Sequence, residues 1–330
     1  LLLLLRERLE RGRLERERLK KEQLERETPI LYPTRKKYEE LYFQNIINQK
    51  FKTNAQVLKN IINPFSGYII CDYFLGSEVY NVEIDMKNKI DLNKISNYES
   101  IIDNSIIMCQ VNKLEYFVNK IIPKLNCKII LITGQQQLPQ VEKSDITDKI
   151  IKSNKIVRWF SQNPLYEYEK VSKYNVFPYG LNHNTCLAYY KFLISNQKIN
   201  KNTNLSNLSC GVHKHLPINH IRKMYPIFSN SKRLEYSSFL EKVSKSEYLI
   251  STSGDRDDCY RHYEAIGLNT IPVSDIGFMY KRIFGDNMIY LNRNDLIKVT
   301  KMGKVNCPYK PINRDIITTE YWRDWVLNHC

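Results

Sequence analysis

Gly254, Arg261 and Glu264 are the residues whose types and spacing point to a definite chemistry, and that chemistry is anion binding. They lie in the stretch from Ser251 to Asp275, which reads as a strand end, a loop holding Ser253, Gly254, Asp255, Arg256 and Asp257, then a helix and a further strand. In doubly wound sheets, ligands bind beyond the carboxyl ends of the strands, where helix N-termini turn N–H groups and a positive dipole end towards phosphate. Gly254 lets the backbone of such a loop approach a pyrophosphate with no side chain in the way. Arg261 and Glu264 stand three apart and share a helix face. Arg261 suits charge-assisted bonds to phosphate and Glu264 suits accepting from ribose hydroxyls, the alternative being an ion pair within the helix. Asp255-Arg256-Asp257 has the spacing that holds a divalent cation in some transferases, but a helix-terminal phosphate site accounts for the same segment without a metal. Asp258 beside the helix start is either a cap or dipole partner, or a candidate base.

The elements that must carry these residues alternate, short β-rich apolar runs with longer helical segments, which predicts an α/β protein with two parallel sheets. Strands are expected at Tyr68 to Tyr73, Ser105 to Cys109, Lys128 to Thr133, Lys155 to Phe160 and Asn175 to Phe177, with helices at Leu114 to Leu125 and Asp145 to Ser153. In the second half they are expected at Ser209 to Val212, Tyr248 to Ser251, Thr270 to Ser274 and Met288 to Leu291. The accompanying helices are Ser237 to Ser244, Cys259 to Gly267 and Arg314 to Leu327. The polar stretch Ser195 to Asn207 lacks apolar periodicity and is read as a separator, giving a first domain over 29–195 and a second over 196–330. Residues 1–28 are set apart by a degenerate five-residue repeat that places Leu9, Leu14, Leu19 and Leu24 at a period of five. Each step turns about 140° around a helix, so the leucines spiral instead of forming a seam, and a single solvated helix is expected.

The chain has 330 residues and a formal charge of +15, which favours anionic partners without choosing among them. A nucleic-acid-binding reading would rest on that charge alone, since no recognised nucleic-acid motif accompanies it, and no nucleic-acid partner is expected. The eight cysteines are scattered with no CxxC pair, so a structural zinc is not expected. No run approaches the ~20 apolar residues that span a bilayer, so no transmembrane segment is expected. The chain as given reads as cytoplasmic, or as lumenal in the secretory pathway if a signal or anchor precedes it; Asn204 and Asn207 would then be glycosylation sequons. Walker, dinucleotide-binding and nucleophile-elbow motifs are all missing, which removes the main support for kinase, dehydrogenase and hydrolase readings.

The run Asp258-Cys259-Tyr260-Arg261-His262-Tyr263-Glu264-Ala265, followed by Gly267 and Thr270-Ile271-Pro272-Val273, resembles the exostosin-like glycosyltransferases. Their pattern is Arg, two residues, Glu-Ala, then a Gly leading into Ile-Pro-Val or Ile-Pro-Ile. Ile130-Leu131-Ile132-Thr133-Gly134, Trp159-Phe160-Ser161-Gln162-Asn163 and Pro178-Tyr179-Gly180-Leu181 are similar to further pieces of that family in the same order, so the likeness covers about residues 105 to 275. The resemblance implies a GT-B architecture, two Rossmann-like domains facing a cleft, with the nucleotide held mainly by the second domain and the acceptor mainly by the first. It implies transfer without an obligatory metal, from a UDP-linked or other nucleotide-sugar donor acting as co-substrate, to a glycan or glycoprotein acceptor.

By the same resemblance Arg222, Ser253, Gly254, Arg261 and Glu264 are donor-binding residues, with Arg222 a second phosphate contact. Inverting transfer needs a base for the acceptor hydroxyl; Asp258 is the named candidate, and His183, His213, His215 and His220 are others that read equally as ordinary polar residues. The chain departs from the family at Gln135, Gln136 and Gln137, where acidic or small residues usually follow the Thr-Gly element, and at Thr270, where a Cys often stands. The alternative function is therefore a catalytically inactive relative that binds a glycan or a protein.

Overall fold

Alternating apolar strands and amphipathic helices assemble into a Rossmann-like α/β architecture with two separate parallel sheets. The computed structural model describes residues 40–76, 86, 88–134, 141–197, 200–208, 218–229, 234–254 and 256–328. The N-terminal repeat, the strand expected at Ser209 to Val212, Gln135 to Gln137, His213, His215 and Asp255 lie outside the described residues.

The first sheet comprises β1 (Tyr73–Leu75), β2 (Ile90–Asp91), β3 (Ile106–Gln110), β4 (Ile129–Gly134), β5 (Ile156–Ser161) and β6 (Tyr174–Val176) in the order β2-β1-β3-β4-β5-β6, every pair parallel. The chain lays β2 on one side of β1 and β3 on the other, so the winding reverses at β1. β3 and β4 are buried along their whole length, which is why they read as unbroken apolar runs without alternation. The second sheet comprises β7 (Thr203–Ser206), β8 (Ser246–Ile250), β9 (Ile271–Ser274) and β10 (Ile289–Tyr290), in the order β10-β9-β8-β7 and again parallel. All strands of the first sheet precede Phe177 and all of the second follow Asn202.

Two expectations need correction and one, a helix, is refined in its geometry. The strand predicted at Tyr68 to Tyr73 is a helix over Ser66–Ile70 followed by β1. Its cause is local: Asn63 Oδ1 accepts from Phe65 N at 3.0 Å and Ser66 Oγ from Asn63 N at 2.9 Å, a turn that launches a helical turn in spite of the β-rich sequence. The helix predicted over Leu114 to Leu125 is a continuous helical path from Val111 to Lys124, but it passes from 3₁₀ through α and π to 3₁₀ geometry. Pro123 removes one N–H and crowds the carbonyl of Asn119, and the π turn Phe117–Ile121 absorbs that misfit.

The polar separator, in turn, holds β7. It pairs with β8 through polar contacts, Ser206 Oγ to Ser246 Oγ at 2.6 Å and Asn204 Nδ2 to Glu247 Oε2 at 2.7 Å, so apolar periodicity could not reveal it.

The C-terminal helix Thr319–Asn328 packs against the first sheet, with Trp325 5.3 Å from Phe160 and Arg158 Nη1 donating to Val326 O at 3.0 Å. Loops beyond the carboxyl ends of the two sheets also meet: Asn163, Tyr166 and Tyr179, after β5 and β6, contact Arg256, Asp257 and Asp258, after β8. No helix among the described residues is long and apolar enough to cross a membrane.

Candidate functional site

Strand β8 delivers Ser251, Thr252 and Ser253 to the carboxyl edge of the second sheet, and each side chain takes a different partner. Ser251 Oγ lies 2.8 Å from His262 Nδ1. Thr252 receives the Arg222 guanidinium twice, Nε to Oγ1 at 2.7 Å and Nη2 to the carbonyl at 2.8 Å. Ser253 meets Asp275, the residue after β9: its N–H donates to Oδ1 at 2.9 Å and its hydroxyl lies 3.4 Å from Oδ2. His220 completes the group, with Nε2 at 3.4 Å from Ser253 Oγ and Nδ1 accepting from Arg222 N at 3.2 Å. Because Nδ1 accepts, the proton is assigned to Nε2. Burial, then the neighbouring Arg222 charge, lowers the His220 pKa and favours this neutral form.

Gly254 follows in contact with Cys259, whose Cβ would lie 3.3 Å from a Cβ at position 254, with Arg222 Nη2 at 3.9 Å. Its N–H donates to Arg256 O at 2.7 Å. The glycine therefore leaves room for the Cys259 side chain, while Arg222 would be in ordinary contact with a Cβ there.

Asp258 is almost fully buried, at 3 % exposure, and does not cap the helix that follows. The cap is Cys259, which makes no side-chain cap bond. Asp258 Oδ2 accepts instead from Tyr179 N at 2.8 Å and Tyr263 Oη at 2.6 Å, while Oδ1 has no partner among the described residues. Burial raises its pKa to about 7, opposed by His262, by Tyr263 and by the Tyr179 N–H. Its neighbours reach the same side of the first sheet: Asp257 accepts from Tyr166 Oη, and Asn163, its amide oriented to suit its neighbours, accepts from Arg256 Nη1 at 2.8 Å. Tyr166 comes this close because Gly277 has no side chain; a Cβ there would lie 1.9 Å from the phenol oxygen.

Arg261 and Glu264 do share a face of the Tyr260–Gly267 helix, and that face packs on the helix Tyr236–Ser244. Arg261 lies over the Phe239 ring, 5.2 Å from its centroid, and donates to Leu208 O at 2.9 Å. Glu264 is buried and accepts from Tyr236 Oη at 2.9 Å. Burial raises its pKa, opposed by the Tyr236 bond and the Arg261 charge.

The structure thus gathers Arg222, Ser253 and Gly254 on one side of the loop and Asp258 on the other, with Arg261 and Glu264 set against a neighbouring helix. Sequence reasoning passed over Thr252, Asp275 and Tyr236. Asp275 carried a readable signal, being the first charged residue after the strand Ile271–Ser274. Tyr236 and Thr252 carried none, since their roles come from packing. Among the described residues no group of three or more His, Cys, Asp or Glu is placed to hold a metal ion. No protein-family model matches the chain, and no curated protein matches it.

Proposed function

We propose that this protein is an inverting, nucleotide-sugar-dependent glycosyltransferase of GT-B, exostosin-like type, acting on a glycan or glycoprotein. The observation that carries the reading is the segment Ser251 to Asp258. It presents a cation, Arg222, held by Thr252 beside Gly254 at the carboxyl edge of a parallel sheet, and the same segment bonds to the loops of the other sheet. An edge of this kind is where α/β sheets bind phosphorylated ligands. Arg222 offsets the charge that leaves with the nucleotide, and Ser253 and Gly254 line the approach to it.

Asp258 takes the acceptor proton on Oδ1, the oxygen with no partner, and a pKa near neutrality suits a general base. Arg261 and Glu264 set the helix behind the loop through Phe239 and Tyr236. A second reading, an inactive relative that binds a glycan or a protein, is favoured by the burial of Asp258 and the use of its other oxygen to hold Tyr179.

A thermal-shift screen against UDP, GDP, CMP and their sugar conjugates tests the proposal. Ligand at 100 times Kd adds about 2.7 kcal/mol to folding stability, which raises the melting temperature by several degrees. A shift with one nucleotide and hydrolysis or transfer of its sugar support the enzyme; a shift without turnover supports the inactive relative; no shift with any nucleotide overturns the enzyme and favours the relative that binds a glycan or a protein.

A further inference from the structure

A carboxylate that reads ribose must stand at the sheet edge and keep acceptor capacity for a ligand. Glu264 is 7 % exposed, accepts from Tyr236 Oη and has its charged form disfavoured by burial. Asp275 is placed differently. It follows β9 directly, is half-buried, and lies beside Ser253, three residues past the end of the adjacent parallel strand β8. In dinucleotide-binding sheets the acid that accepts from the ribose hydroxyls belongs to the same βαβ unit as the phosphate loop. We infer that Asp275, with Ser253 and His220, forms a subsite for a vicinal diol carried by the nucleotide sugar, an inference that rests on the proposed donor site.

The polar order of the cluster supports this. His220 holds its proton on Nε2, towards Ser253 Oγ, because Nδ1 accepts from Arg222 N. Ser253 in turn directs its hydroxyl and its N–H at Asp275. Both donors of Ser253 end on the carboxylate, while His220 has the Gly254 backbone as a second partner beside Ser253 Oγ. The two bonds from Ser253 orient Asp275 and use part of its acceptor capacity, for a carboxylate has about four lone-pair sites. Two adjacent hydroxyls match the remainder. Arg222, two residues from His220 and bonded to Thr252, stands next to the cluster, so a diphosphate and a diol could be held by one continuous edge.

Ribose and the transferred hexose both carry vicinal diols, and one experiment separates them. Binding of UDP, GDP, their 2′-deoxy forms and UDP-glucose is measured by calorimetry for the wild type and for Asp275→Asn. The asparagine oxygen still accepts from Ser253 N–H, so the loop is retained while the carboxylate is lost; Ser253→Ala is a milder second variant that keeps the carboxylate and removes its hydroxyl partner. Wild-type protein should bind the ribonucleotide about tenfold or more tightly than its 2′-deoxy form, the scale of one hydrogen bond to a charged group. Asp275→Asn should abolish that preference, and Ser253→Ala should reduce it. If ribonucleotide preference survives but the advantage of UDP-glucose over UDP is lost in Asp275→Asn, the diol belongs to the hexose. If both preferences are the same in wild type and Asp275→Asn, the inference is overturned while the donor site stands. If wild-type protein binds none of these nucleotides, the donor site fails and the inference with it.

Discussion

The carboxyl edges of the two sheets are built from different chemistry. At the first edge the buried polar residues are neutral: Gln110, Thr133, Ser161 and Gln162. Gln162 Nε2 donates to Pro64 O at 2.9 Å and Trp159 Nε1 to Thr133 Oγ1 at 2.9 Å, so neutral donors and acceptors satisfy these groups without a formal charge. The glycines there are filled by side chains, since a Cβ at Gly134 would lie 2.2 Å from Gln162 Oε1 and one at Gly76 2.5 Å from Gln110 Cδ. At the second edge Arg222, Asp257, Asp258 and Asp275 crowd together with His220 and His262. Burying charges is costly unless they are paired or ligated, whereas neutral amides need only one another. Under the proposed function, the charged edge of the second sheet takes the charged nucleotide and the neutral edge of the first sheet takes the glycan.

The sharpest way to break this comparison is Arg222→Ala. It removes two bonds to buried Thr252 and should lower stability by roughly 2–4 kcal/mol in urea unfolding, and nucleotide affinity by at least about 100-fold. Unchanged nucleotide affinity in a folded Arg222→Ala would move the anion site elsewhere.

Asp258→Asn probes the charged edge through pH. The folded pKa of Asp258, about 7, stands above its unfolded value, so its contribution favours the folded state fully at low pH and is lost as pH rises from about 4 to about 7. Asp257 and Glu264, also raised by burial, act in the same direction, so the test is the difference between variant and wild type. Stability curves at several pH values should separate by roughly 2–4 kcal/mol between pH 4 and 7, with the variant gaining relative to wild type as pH rises. Parallel curves would mean that burial leaves the Asp258 pKa where it is in the unfolded chain.

Gly134→Ala tests the neutral edge. The added methyl meets Gln162, which is fully buried and has little room to move, so a loss of about 1–3 kcal/mol is expected in thermal unfolding with nucleotide affinity unaltered. Weaker nucleotide binding would contradict the division between the edges. The smallest effect should come from Arg261→Ala, which loses the bond to Leu208 O and the contact with Phe239, about 1 kcal/mol of stability. Its effect on nucleotide affinity should be smaller than that of Arg222→Ala, and the reverse order would restore Arg261 as the main phosphate contact.

Sequence patterns made the buried strands legible because burial on both faces leaves continuous apolar runs, as in Ile106–Gln110 and Ile129–Gly134. They did not reveal Thr203–Ser206, whose pairing is polar, nor the helix at Ser66–Ile70, whose start is fixed by an Asn63 turn. The helix Arg293–Met302 had readable ends that went unused, an Asn292 cap bonded to Asp295 N at 3.0 Å and Gly303 at φ 68°. At the site, the segment around Gly254 was legible from its loop-and-helix layout. That Glu264 faces Tyr236, and that Asp258 reaches Tyr179 instead of capping its helix, depends on partners 28 and 79 residues away, beyond any local pattern.

Calorimetric titration of the wild-type protein and Arg222→Ala with UDP and GDP, in the presence of EDTA, tests the central claim most directly. The account predicts that one nucleotide binds the wild type without a divalent metal and that the arginine variant loses this binding while remaining folded. No binding by the wild type, or equal binding by both proteins, would contradict it.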